Sequence, residues 1–124
     1  MQVNGNGNGN GQKNRVRVQS VDTPDTVSYC YCVIAEGGLL LADKHENEKD
    51  GTGVIWTTVW EDVPEGAVIF RITKFREGGG FWQPIQLPAT QTDRQVATVE
   101  KVLLLHGLSL ISEVSLMGTG RRAP

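Results

Sequence analysis

Residues 53–76 read GVIWTTVWEDVPEGAVIFRITKFR, two β-branched, aromatic-rich runs around Pro64, Glu65 and Gly66. Such side chains fit a pleated surface and the Pro-Glu-Gly step fits a tight turn, so the pattern predicts a hairpin with arms 53–61 and 66–76. Pairing Glu61 with Gly66 sets Val59 opposite Val68, Thr57 opposite Phe70 and Ile55 opposite Ile72, an apolar face assigned to the core. The other face gathers Trp56, Thr58, Trp60, Ile69, Arg71 and Thr73, with Phe75 at the rim. Only a one-residue slip exchanges faces, so the grouping is firmer than the register. A ribbon apolar on both sides has to hide both.

Strand signals continue outward from this stretch. Val16 and Val18 alternate with Arg15, Arg17 and Gln19, and residues 26–35 (TVSYCYCVIA) are β-branched, aromatic and thiol-bearing. Leu39 to Leu41 predict a short strand and residues 43–53 (DKHENEKDGTG) a charged loop. Gly78-Gly79-Gly80 breaks the chain, and Phe81 to Leu87, interrupted by Pro84, belongs at a sheet edge. Two readings compete for the last third. Thr92 with Gln95 makes a capping box for a helix over about 93–106, with Val96, Val99, Leu103 and His106 on one stripe. The alternative is a hairpin turning at His106-Gly107, favoured by its apolar cross-strand matches and by the β-branched run before Glu100. Against that hairpin, Glu100 opposes Glu113. The expected fold is all-β and mainly antiparallel, a single-domain β-sandwich or small barrel with that C-terminal helix as the variant element.

Length and charge narrow the organisation. The 124 residues suit one domain, read as 15–118 and flanked by an Asn/Gly-rich tail over 1–14 and a basic tail over 119–124. The tail repeats Asn-Gly over 4–11, offers no apolar face, and is expected to be flexible or to act as an arm docking on a neighbour. A net charge of −2 carries no global field toward nucleic acid or anionic membrane, although Lys13, Arg15, Arg17, Arg121 and Arg122 make both ends basic. No run nears the roughly 18–20 apolar residues of a membrane span, and the polar start does not read as a secretory signal. Cys30 and Cys32, two apart on a strand, are expected as buried thiols, which favours a reducing, cytoplasmic setting.

Catalytic and metal signatures are weak. Neither His45 nor His106 stands beside a nucleophile in the sequence, and His106 reads as a turn or core-edge residue. Cys30, Cys32 and His45 supply three soft ligands where structural zinc takes four. Glu46, Glu48 and Asp50 imitate a calcium loop, but its twelfth position falls on Thr57 instead of a bidentate glutamate. The triple glycine lacks the lysine of a phosphate-binding loop. No cofactor is expected. An enzyme working through Asp62 or Glu65 is the least supported class, since both acids fall in a turn.

The expected function is therefore a non-enzymatic β-domain that self-assembles as a homo-oligomer or binds another protein. Its interface would comprise Trp56, Thr58, Trp60, Ile69, Arg71, Thr73 and Phe75. The alternative is a single-stranded nucleic-acid-binding module that stacks bases on Trp56, Trp60 and Arg71 and draws on the basic termini.

Overall fold

The computed structural model of the chain describes residues 13–110. Expectations for the Asn-Gly tail, for residues from 111 onward and for the basic C-terminal end lie outside them. The elements are β1 Lys13–Asp22, β2 Thr26–Val33, β3 Asp43–Asp50, β4 Gly53–Pro64, β5 Val68–Phe75, β6 Gly80–Gln86 and α1 Asp93–Leu105. Among the described residues the strands form two antiparallel three-stranded sheets, ordered β1-β4-β3 and β2-β5-β6, and neither closes into a barrel. The mainly antiparallel all-β expectation holds, together with the C-terminal helix that it allowed for.

The hairpin expected across Pro64 to Gly66 does not form. β4 pairs with β1 and β3, while β5 pairs with β2 and β6, so the two arms lie in different sheets. The corner between them uses Gly66 at φ 89°, a left-handed conformation that costs glycine little. Val63 and Ala67 on either side of it are buried between the sheets. The physical reason lies in the arms themselves. A strand apolar on both faces is best placed at the centre of a sheet, flanked on both edges and covered. Separation into two sheets gives β4 and β5 two flanking strands each and lets them cover one another.

Three layers result. Val18 of β1, Trp60 and Val63 of β4, Cys32 of β2 and Ile69 of β5 form the core between the sheets, joined by Ala67 of the corner. A second core lies between the β2-β5-β6 sheet and α1, built from Val33, Val68, Phe70, Ile72, Trp82, Val99, Val102 and Leu103. Alternation along β5 divides its residues between them, Val68, Phe70 and Ile72 toward the helix and Ile69 toward the other sheet. The expectation that Val68, Phe70 and Ile72 belong to the core therefore holds. Their supposed partners Ile55, Thr57 and Val59 lie on the face of β4 away from the inter-sheet core, in register with Val21, Gln19 and Arg17 of β1. Thr57 and Val59 are nonetheless buried there and Ile55 half-buried.

Residues 43–50 of the expected charged loop form β3, a strand exposed along its whole length. Polar alternation is not needed there, because an exposed edge strand is held by its ladder to β4 and its charges guard the free side. A bulge at Asn47 interrupts that ladder, and the Asn47 amide oxygen accepts from Thr57 Oγ1. The short strand expected at Leu39–Leu41 reduces to one bridge, Val33 to Leu39, with Leu40 N–H donating to the Cys32 carbonyl. β6 is the edge strand anticipated, and Pro84 sits beside its register shift.

Over 93–105 the helix wins over the C-terminal hairpin. Thr92 accepts from the Gln95 N–H at 3.0 Å, and the Gln95 side chain accepts from the Thr92 N–H at 2.9 Å, completing the capping box. The Gln95 amide also donates to the carbonyls of Gly66 at 2.8 Å and Val33 at 3.2 Å, tying the helix start to the corner and to the end of β2. Val99, Val102 and Leu103 then bury one stripe, each side chain contributing about 1.5–3 kcal/mol, which overrides the modest helix penalty of β-branching. Gly107 at φ 76° ends the element.

Candidate functional site

Six of the seven residues expected at an interface come together, but across the gap between sheets instead of side by side on one. Trp56, Thr58 and Trp60 project from β4 and Ile69, Arg71 and Thr73 from β5, so the two greasy faces cover each other within one chain. Trp60 is 1% exposed, Ile69 is fully buried and Thr58 is 5% exposed. Trp56 is half-buried, its indole N–H donating to Asp22 Oδ2 at 2.9 Å while Lys44 Nζ lies 4.7 Å from its ring centre. Phe75 stays at the rim, exposed and 6.0 Å from Phe81. Thr73 lines an open cleft of about 280 Å³ with Gln19, Ser28, Arg71 and Gln83.

Arg71 is the hinge of this arrangement. Its Nε donates to Ser20 Oγ at 3.0 Å, its Nη2 to the Gln19 carbonyl at 2.6 Å and its Nη1 more loosely to Gln83 Oε1 at 3.4 Å. The guanidinium thus bonds β5 to the outward edge of β1, and Ser20 Oγ in turn meets Cys30 Sγ at 3.3 Å. Cys32, on the same face of β2, is fully buried, and burial pushes its thiol pKa up to about 11, which keeps it protonated and unreactive. Both cysteines are free thiols; Cys32 is buried as expected, whereas Cys30 is only half-buried.

A polar cluster at the end of α1 carries the second histidine. His106 Nε2 is 2.7 Å from Tyr31 OH, its carbonyl accepts from Lys74 Nζ, and its ring lies 4.8 Å from Tyr29 and 5.8 Å from Tyr31. Burial, and then the neighbouring Lys74 charge, hold the imidazole below its ordinary pKa. Burial likewise raises the Tyr31 hydroxyl, with Tyr29 and Cys30 adding to the rise. The arrangement fastens the helix end to β2 and β5, in keeping with the core-edge role read for His106. Sequence reasoning did not find its partners, because Tyr31 and His106 are 75 residues apart.

The other expected chemistries separate in space. His45 pairs in register with Thr57, on the outer face of the first sheet, while Cys32 faces the core between the sheets. Among the described residues no group of three or more histidine, cysteine or acidic side chains could hold a metal. Asp22, Lys49, Asp50, Trp56 and Arg76 border an open cleft of about 300 Å³. Its carboxylates are already engaged, Asp22 by Ser28 N–H and Trp56, and Asp50 by Thr52 and Gly53. The Thr52 hydroxyl, followed by the two backbone N–H groups, holds the Asp50 carboxyl below its usual range.

The surface carries what the sequence reading missed. Leu41 is 95% exposed, Leu105 81% and Leu104 71%, with Leu39 half exposed. Leu40 packs toward the inter-sheet core, while its neighbours Leu39 and Leu41 stay exposed. The Tyr31–His106 bond ties the end of α1, which carries Leu104 and Leu105, to β2, the strand that Leu39 and Leu40 bridge at Val33 and Cys32. The run of three leucines at 39–41 was the available signal, but reading it as a strand hid it. No helix among the described residues is long and apolar enough to cross a membrane. Comparison with known protein families, with curated proteins and with solved structures finds no match to this chain.

Proposed function

We propose that this chain is a non-enzymatic β-domain that works by associating with protein, in the first place with copies of itself. The observation that carries this reading is the leucine margin: Leu39, Leu41, Leu104 and Leu105 stand in water beside a well-packed double core. Large apolar side chains left this exposed mark interaction sites, and full burial of each leucine in a partner is worth about 1.5–3 kcal/mol. The six residues between the sheets then act as the scaffold that holds these leucines and not as the contact itself.

Sedimentation velocity at micromolar concentration tests the reading. The expected result is a mass above the 13.5 kDa of one chain, clearly reduced in the double variant L41D/L105D at the same concentration. A wild-type chain that sediments as a monomer throughout would overturn it. The single-stranded nucleic-acid reading is less well supported, because Trp60 is enclosed and the Arg71 donors are occupied. A labelled oligonucleotide bound at low salt, with affinity falling steeply as salt rises, would restore it.

A further inference from the structure

The sheet edges differ in how they are closed. β2 is covered where Leu39 and Leu40 bridge to Val33 and Cys32, and β6 carries Pro84, which has no N–H to offer. Along β1 the far end is taken, since Arg71 donates to the Gln19 carbonyl, Ser28 Oγ reaches the Val21 carbonyl, and Asp22 accepts from Ser28 N–H. The outward backbone of Asn14 to Val18 has no such partner among the described residues. Its outer face presents Arg15 and Arg17, the latter in register with Val59. Arg15 is paired to Glu61 at 3.0 Å with both side chains exposed, and Arg17 makes no ion pair among the described residues.

The opposite edge of the same sheet is β3, whose eight residues are all exposed and hold four carboxylates against two lysines. Asp43 pairs in register with Val59 and Glu48 with Ile55, so both acids lie on the face that carries the arginines. Lys44 is turned inward over the Trp56 ring, which leaves the outer face of this edge acidic. Pairing of like edges is disfavoured: an antiparallel β1–β1 contact confined to 14–18 sets Arg15 opposite Arg17 of the other copy. β1 and β3 both run antiparallel to β4 and therefore parallel to each other. Repetition of the sheet thus lays an acidic strand against a basic one with the faces aligned.

We propose that copies of this chain associate head to tail, the acidic free edge of β3 in one copy adding to the Arg15–Arg17 edge of β1 in the next. The three-stranded sheet then continues from copy to copy. Main-chain hydrogen bonds over Asp43 to Glu46, ahead of the Asn47 bulge, supply the attraction, and the charges set direction and register. Such a contact is heterologous and grows instead of closing as a two-fold dimer. The inference rests on the self-association proposed above, but names a second surface for it.

Charge reversal in the L41D/L105D background separates the two surfaces. Association that survives there is expected to weaken about tenfold on R15E/R17E, and equally on D43K/E48K, because two exposed pairs are replaced by repulsion. It should also fade as salt rises. An equimolar mixture of the two reversed chains is expected to recover association as an alternating series, since both edges of one chain are then acidic and both edges of the other basic. Circular dichroism melting checks that each variant folds. Loss of all association in L41D/L105D at low salt would overturn the edge pairing while leaving the leucine margin intact. Association indifferent to charge reversal would overturn it as well. A wild-type monomer at every salt concentration would overturn both.

Discussion

Arg71 is where the chemistry of single residues decides the architecture. A cation between two sheets is tolerated only with its donors satisfied, and here Ser20 and the Gln19 carbonyl take two of them while the rest of the side chain stays half-buried. The variant R71M keeps the length of the stem but removes both bonds and leaves the Gln19 carbonyl bare, so urea unfolding should show a loss of about 1.5–3 kcal/mol. An unchanged midpoint would mean that the clamp is ornamental. The cysteines offer a second measurement at this scale. Cys30 is half-buried beside Ser20, whereas Cys32 is fully buried with its pKa raised to about 11. Alkylation of the native chain near neutral pH should therefore modify Cys30 alone, and mass mapping that finds label on Cys32 without unfolding would contradict the packing. Neither behaviour is legible from position in the sequence, since two cysteines on one strand face look alike until their neighbours across the sheet are known.

At the scale of elements, the sequence is informative about what each segment is and poor on what lies beside it. The alternation in 15–19, 26–33 and 53–60 follows from a strand having two faces, and the pleat imposes it whatever the partner. Partnership is a tertiary choice. The 53–76 ribbon splits because Pro64 to Ala67 can turn a corner as readily as a hairpin, and two doubly apolar strands are better covered apart. The gathering of Trp56, Thr58, Trp60, Ile69, Arg71 and Thr73 was legible in the sequence, but their enclosure was not. β3 was missed for the opposite reason: a strand exposed throughout has no buried face to leave a pattern. The helix was half legible, because Thr92 and Gln95 announce its start while Val96, Thr98 and Val99 argue for a strand. Gln95 should settle the energetics. It is 1% exposed and its side chain serves the Thr92 N–H and the carbonyls of Gly66 and Val33. Q95L strands these groups and should cost about 2–3 kcal/mol, more than the roughly 1 kcal/mol expected for T92A, which removes the cap and the exposed hydroxyl bond to the Ala35 carbonyl. Equal losses by thermal unfolding would mean that the glutamine serves only as a cap.

The whole molecule is a three-layer stack whose outermost layer, α1, is fastened at two ends, by Gln95 at its start and by His106 at its finish. The second fastening depends on protonation. His106 is held below its ordinary pKa by burial and by the Lys74 ammonium, so the folded state favours the neutral ring while the unfolded chain takes up a proton near pH 6.5. The sign follows. A depressed pKa contributes stability that is complete above 6.5 and is lost as pH falls through the lower folded value, since the unfolded state binds more protons across that window. Stability measured by urea midpoints should thus decline from pH 7 toward pH 5 in the wild type. In H106Q, which has no titrating ring but can still bond Tyr31, that part of the decline should disappear, leaving only the limb due to carboxylates such as Asp50 at lower pH. Because the ring stands between Tyr29 and Tyr31 at the junction of α1 and β2, the proton acts first on the attachment of the helix layer. Amide exchange at mildly acidic pH should then rise in Val102 to Leu105 before it rises in β4, whose Trp60 belongs to the separate core between the sheets. Simultaneous loss of protection in both regions would mean that the stack unfolds as one unit and that the latch at His106 has no local role.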